Sequence, residues 1–328
     1  MSEQANFKVR FWGVRGSYPT PGPATIRYGG NTPCVEVTVN GFTLIFDAGT
    51  GIIPLGRALT ARARSLGKPV QAVLFLSHLH HDHTQGFPFF ASAFSPTARL
   101  HVFGPDFLGS DPQSTLASVM QPPYFPIRLA ELNAQISFQV LRETELLRLD
   151  CRDGHIQQHS ISAALPDDLQ CVTVRVLRSY AHPQGVLHYR VEYNGQSLVY
   201  ATDTEGYVSG DRRLANFARG ASLLIHDAQY TDEHYLGALP GISITQGFGH
   251  STVSMACQAA LSAGAERLVL FHHAPEYSDD VLDQVAQQAT ALFPNVLLAS
   301  EGLELSLDRP NWPLPTHSPA PQADVRVQ

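Results

Sequence analysis

Residues 6–14 alternate apolar and polar side chains and predict a first strand. Runs at 34–40 and 42–46 predict two more, joined at Asn40-Gly41, a dipeptide suited to a tight hairpin. Residues 52–66 carry a helical pattern closed by Gly67, and an apolar strand follows from Val73. Further strands are expected at 99–103, in pieces over 135–150, and as a three-strand run from 172 to 203 that turns at Asn194-Gly195. Buried strands are expected at 223–227 and 266–271, and short strands near 296–299 and 303–307. Helices are expected near 113–120, from a cap at Ser251 or Thr252 to Gly264, and over 278–291. A helix start is also expected in the T-Q-G-F-P-F-F stretch after His83. Between these elements lie a Gly/Pro-rich loop from Gly16 to Pro33 and a stiff Q-P-P-Y-F-P-I loop, read as a surface plug. An irregular polar excursion is expected at 151–169, and a glycine-rich stretch at 231–249 reads as a lid. The proline-rich tail 309–328 is expected to stay outside the folded domain, 1–308.

The strand from Val73 delivers the densest chemistry in the chain, V-L-F-L-S-H-L-H-H-D-H. Alternation along an extended segment turns His78 and His80 to the same side. Asp82 and His83 follow as the chain turns. Imidazole and carboxylate are the donors that borderline divalent metals accept. More such groups sit at the ends of other predicted strands: His182, Asp203, His226 and the pair His272-His273. His250 stands just before a helix cap. Asp47 ends a strand beside glycines, where its carboxylate can accept backbone N–H bonds. His155 and His159 are spaced i, i+4, but no helix pattern surrounds them.

Bulk properties narrow the function classes. The formal charge of −7 disfavours broad capture of nucleic acid. Four scattered cysteines with no C-x-x-C pair argue against a disulfide framework and a thiolate metal site. No apolar run reaches the ~20 residues of a membrane span, and the N-terminus lacks the apolar core of a signal peptide. A cytoplasmic protein is expected.

The H-x-H-x-D-H motif after a buried strand resembles the metallo-β-lactamase fold superfamily. L-L-I-H-D-A resembles a strand-end block of its processing-ribonuclease branch, and G-H-S-T is similar to a block of both that and the phosphodiesterase branch. A-H-P-x-G and A-T-D-T-E resemble the blocks that carry a metal histidine and the bridging aspartate, and the G-V-R-G-S opening resembles its phosphodiesterase-like branch. That branch includes cyclic-phosphate phosphodiesterases and, more distantly, tRNA 3′-processing ribonucleases. The resemblance implies an α/β fold, a four-layer αββα sandwich of two mixed sheets flanked by helices. It implies two divalent metal ions, zinc above all, with manganese or iron as alternatives. His78, His80 and His182 would hold one ion, Asp82, His83 and His272 the other, with Asp203 bridging and Asp47 bracing the ligand loop. His272 rather than His273 is assigned by alignment of L-V-L-F-H.

The implied reaction is attack by a metal-activated hydroxide on a small or cyclic phosphodiester. Asp82 would help to hold the nucleophile, and His250 or His226 would protonate the leaving oxygen. Arg15, Ser17 and Asn31 of the Gly/Pro-rich loop are expected to contact substrate. Extended nucleic acid and membranes are not expected partners, and a homodimer is compatible with the sequence. Two other hydrolases compete: a tRNA 3′-endonuclease, which would need a long basic arm that the sequence lacks, and a thioester or lactone hydrolase, against which the G-H-S-T histidine argues.

Overall fold

A computed structural model describes residues 7–164, 171–206, 210–239, 241 and 243–308. The expected tail at 309–328 lies outside the described residues, as does part of the polar excursion, including its paired aspartates. The strands of the first half are β1 (Phe7–Gly13), β2 (Cys34–Val39), β3 (Phe42–Phe46), β4 (Gln71–Phe75), β5 (Arg99–Gly104) and β6 (Gln135–Val140). The second half contributes β7 (Glu145–Asp150), β8 (Ile156–Ser160), β9 (Cys171–Ser179), β10 (Val186–Tyr193), β11 (Gln196–Ala201), β12 (Leu223–Asp227), β13 (Leu268–Phe271) and β14 (Val296–Leu298). A final β15 (Glu304–Ser306) returns to the first sheet. The helices are α1 (Ile52–Leu66), α2 (His81–Thr84), α3 (Pro112–Val119), α4 (Arg212–Phe217), α5 (Asp232–Tyr235), α6 (Val253–Ala263) and α7 (Asp279–Leu292).

One sheet runs β15-β1-β2-β3-β4-β5-β6, the other β14-β13-β12-β11-β10-β9-β7-β8. Each is antiparallel on one side and parallel on the other. In each, an Asn-Gly hairpin (β2–β3, β10–β11) leads into a run of parallel strands (β3 to β6, β11 to β14). Both hairpin asparagines hold the left-handed φ that this turn needs, 42° at Asn40 and 47° at Asn194. The inner faces meet in one core. Val9, Phe11, Val37, Leu44, Phe46 and Phe75 pack against Val174, Tyr189, Leu198, Tyr200, Ile225 and Phe271. On the outer faces, α1 and α3 cover the first sheet and α4, α6 and α7 the second. This is the expected four-layer αββα sandwich.

Several local expectations need correction. Residues 156–160 are not irregular: β8 pairs antiparallel with β7 at the sheet edge. Gln157 and Gln158 give that strand no apolar alternation, so its period is invisible in the sequence. No long helix starts after His83. The helix there is the four-residue α2 inside the ligand motif, and the chain then makes two 3₁₀ turns at Phe87–Phe89 and Ala91–Phe94. In the proline loop Tyr124 is exposed, while Phe125 packs edge-on against Phe89, as a surface plug would.

Candidate metal centre

Parallel strands end level with one another, and their C-terminal ends carry the chemistry, as in other open α/β sheets. Phe46 of β3 pairs with Phe75 of β4, and β3 then delivers the bracing Asp47 while β4 delivers the ligand stretch 77–83. Ala201 pairs with His226 and Asp227 with Phe271, so Asp203, Asp227 and His272 emerge side by side from β11, β12 and β13. His182 follows β9. The Leu187 N–H donates to the Ser77 carbonyl (2.8 Å) and the Tyr189 hydroxyl to the Leu76 carbonyl (2.6 Å), locking the two sheets together beside the site.

The structure brings all seven expected ligands together. The donor atoms of His78, His80 and His182 lie within 4.8 Å of one another, as do those of Asp82, His83, Asp203 and His272. His80 Nδ1 and His182 Nε2 point at each other across 3.0 Å. His83 Nε2 faces Asp203 Oδ2 at 3.2 Å and Asp82 Oδ2 at 3.3 Å, and His272 Nε2 lies 3.3 Å from each of the same two oxygens. The far nitrogens are occupied, which fixes the tautomers. His83 Nδ1–H donates to Asp47 (2.8 Å), His182 Nδ1–H to the Gly249 carbonyl (3.0 Å) and His272 Nδ1–H to Gln229 Oε1 (2.9 Å).

This donor set fits divalent cations. His78 Nε2 is buried without a hydrogen-bond partner, and His83 Nε2 faces the Asp203 and Asp82 oxygens without hydrogen-bond geometry, arrangements that cost free energy unless something binds these nitrogens. Burial opposes charge on His83, yet Asp203, Asp82 and Asp47 push its pKa well above the ordinary imidazole value. Burial, helped by the neighbouring imidazoles of His83, His182 and His80, drives His78 the other way, towards the neutral form that ligates. The pocket therefore demands positive charge and offers lone pairs.

Asp47 is a hub and touches no substrate space. It accepts from the Ser77 N–H (2.7 Å), the Ser77 hydroxyl (2.8 Å), His83 Nδ1–H and the Tyr200 hydroxyl (2.7 Å). Four residues of the site hold left-handed backbone: Ser17 (φ 62°), Asp47 (62°), Asp203 (50°) and His272 (63°). Such positions cost of order 1–3 kcal/mol each and persist where surrounding structure enforces them. Gly16 is required by contact: a Cβ there would stand 2.5 Å from the His272 ring.

The expected substrate and proton-transfer residues fare unevenly. Ser17 is at the centre, where its backbone N–H donates to Asp82 Oδ2 (2.8 Å). Arg15 is not a substrate contact. It is fully buried and its guanidinium donates to the carbonyls of Gly29 (2.8 Å), Ala274 (3.0 Å) and Tyr277 (2.6 Å). Asn31 is likewise engaged elsewhere, with its backbone and side-chain N–H groups on the Glu301 carboxylate (2.7 and 2.9 Å). His226 is also displaced from the site. Ile225 of β12 faces the inter-sheet core, so the next residue must face the helices. There burial lowers the His226 pKa, and its Nδ1–H donates to the Asp227 carbonyl (2.7 Å).

The same alternation turns Asp227 inward, a residue the sequence reading passed over. Asp227 accepts from His250 Nδ1–H (2.8 Å) and from the Ser251 N–H (2.9 Å). The His250 ring stacks on His272 with centroids 5.0 Å apart and meets His182 edge-on at 5.1 Å. Burial works against charge on His250, but Asp227 more than offsets it, and the pKa stands above the ordinary value. Gln229 and Glu205 were also missed. Gln229 orients His272, and Glu205 ties the 231–249 segment down through the N–H groups of Gly247 (2.7 Å) and Gly249 (2.9 Å). His273 leaves the ligand set. Burial pushes its pKa down to about 3, and its Nε2–H donates to the Ala299 carbonyl (2.9 Å).

Comparison with known proteins agrees with this fold. A family model for the beta-lactamase superfamily domain matches residues 43–273, well over half the chain. Curated relatives include proteins named ribonuclease Z from Picrophilus torridus and Gemmatimonas aurantiaca. The first is 25% identical over 93% of this chain and 97% of its own length, the second 27% over 91% and 95%. Among solved structures, the metallo-beta-lactamase fold protein YhfI from Bacillus subtilis superposes with a TM-score of 0.61 at 18% identity, covering 91% of this chain and 98% of its own. Human tRNase Z, short form, gives 0.58 at 20% identity, covering 92% and 99%. With the αββα sandwich and the level strand ends that gather its histidines and aspartates, the chain belongs to the beta-lactamase superfamily and is a hydrolase of the metallo-β-lactamase fold.

Proposed function

We propose that the protein is a metal-dependent phosphodiesterase acting on a small or cyclic phosphodiester. The observation that carries this reading is the Asp227–His250 pair, an imidazole set 2.8 Å from its carboxylate and stacked against His272 at the ligand cluster. His78, His80 and His182 would hold one divalent ion, and Asp82, His83 and His272 a second, with Asp203 shared. When bound, such ions acidify a coordinated water and neutralise charge on phosphoryl oxygens. Zinc suits this nitrogen-rich set, and manganese or iron are alternatives. The chain's own residues do the remainder. Ser17 N–H and the neighbouring histidines hold Asp82 in place. His250, whose pKa Asp227 raises, donates to a phosphoryl oxygen or to the departing alkoxide, a step worth typically 10²–10⁴-fold.

A second reading, tRNA 3′-endonuclease, is favoured by the names of the curated relatives. Against it stand the net charge of −7 and the ten residues between β8 and β9, which leave little chain for an RNA-grasping arm there. A metal-defined panel of bis-p-nitrophenyl phosphate, a cyclic nucleotide, a ribose cyclic phosphate, precursor tRNA and a thioester separates the readings. Turnover of the small diesters is expected. Cleavage of precursor tRNA alone would favour the second reading, and turnover of the thioester alone would reject phosphodiester chemistry.

A further inference from the structure

Beside His182 opens a cavity of about 980 Å³, and its lining is mainly apolar. The loop after β9 forms one side, Leu108 another, and the 231–249 segment a third through Leu236 and Gly249. Glu205 secures that third wall through its bonds to Gly247 and Gly249. Three large apolar side chains on the lining remain open to solvent: Leu108 (84%), Tyr180 (66%) and Leu236 (61%). Exposure of this kind, gathered at a concavity next to a reactive centre, marks a binding surface.

The cavity also holds an unspent cation. Arg178 places its guanidinium 4.4 Å over the Phe107 ring and 4.9 Å over the Tyr180 ring, so the three side chains form a stack. Its Nε is buried without a hydrogen-bond partner. Arg15, by contrast, spends its guanidinium on three carbonyls. The stack fixes the Tyr180 ring by cation–π attraction on one face. Two carboxylates on the lining are already engaged: Glu205 with backbone N–H groups and Asp232 with the Ser254 hydroxyl (2.6 Å). Arg178 therefore keeps its positive field for whatever enters.

We infer that this cavity is a subsite for a flat aromatic group on the phosphodiester, lying against Tyr180 and steered by the Arg178 guanidinium. The inference rests on the phosphodiesterase reading for what sits on the cluster, and adds which ester group the protein selects. An aromatic face gains from stacking and from apolar contact with Leu108 and Leu236, while Arg178 offers N–H donors to acceptors on its edge. A bare sugar or a methyl ester gains none of this. A nucleobase and a simple aryl ring share the required chemistry.

Equilibrium binding to the zinc-loaded full chain tests the assignment, with phenyl phosphate, adenosine 5′-monophosphate and ribose 5-phosphate followed by calorimetry. At least one aromatic phosphate is expected to bind tenfold or more tighter than ribose 5-phosphate. Tyr180→Ala should remove that preference, Tyr180→Phe should keep it, and Arg178→Ala should weaken it several-fold. Preference for the adenosine compound alone assigns the subsite to a nucleobase, and equal preference for both aromatics assigns it to any aryl group. Equal binding of all three, or a preference that survives Tyr180→Ala, overturns the inference. Wild-type hydrolysis of bis-p-nitrophenyl phosphate is scored separately. A selective but hydrolytically inert protein would reject the phosphodiesterase reading and spare the subsite, and an active but unselective one would do the reverse.

Discussion

Asp227 governs what His250 can do. Its carboxylate fixes the imidazole tautomer and raises its pKa. Asp227→Asn is expected to lower kcat about 10²-fold on a small diester. The sign of the pH effect also follows. A donor whose pKa is raised keeps its proton to higher pH, so in the variant the activity lost as pH rises should be lost at lower pH than in wild type. A pH–rate profile reads both effects. Asp47 acts one step further out, and Asp47→Asn should weaken metal affinity on the order of 10–100-fold, seen by competition with a chromogenic chelator. Arg15 belongs to stability instead. Arg15→Ala removes donors from three buried carbonyls at roughly 1 kcal/mol each, so denaturant unfolding should show a loss of about 3 kcal/mol.

At the scale of elements, the ligand-bearing strand ends were legible because buried strands carry a strong period and the H-x-H-x-D-H cluster is dense. β12 is legible as a strand to the residue, yet the sequence points to His226, one position before the side chain that reaches the site. The chemically conspicuous imidazole of His226 drew attention, while the strand's pleat turned Asp227 to the site. The signal was available in the alternation of Leu223, Ile225 and Asp227 on one face. Arg15 and Asn31 could not be read this way. Their partners, Ala274, Tyr277 and Glu301, lie about 250 residues or more along the chain, and nothing local announces them. β8 failed for a different reason, being a polar edge strand with no buried face to impose a pattern. The short α4 was also missed, since six residues carry too little periodicity. An element-level test is Gly86→Ala in the turn after α2. The added Cβ would stand 2.0 Å from the Gly49 carbonyl oxygen, so the variant should unfold at clearly lower denaturant concentration.

For the whole molecule, acid should be destabilising through identifiable groups. Burial holds His188 and His273 at pKa values of about 3, with the neighbouring His226 and Arg15 adding to the effect. Unfolded histidines titrate near ~6.5. Between that pH and about 3, the unfolded chain takes up protons that the folded chain refuses. Stability should therefore fall with pH by about 1.4 kcal/mol per unit for each of the two. His188→Leu should remove one such contribution, read as a shallower acid slope in chemical denaturation. Metal removal should act on the same balance. At a hundredfold excess over Kd the bound ions contribute ~2.7 kcal/mol per site, so chelation should lower Tm by about 5 °C or more.

The left-handed backbone at Ser17, Asp47, Asp203 and His272 gives this coupling a biological edge. A polypeptide that bends four such joints out of their comfortable range, all around one place, is wound against its own chain preferences there. Divalent cations would act as the catch on that spring. The trace-metal supply of its surroundings would then set how many copies of the protein persist, as well as how fast each one works.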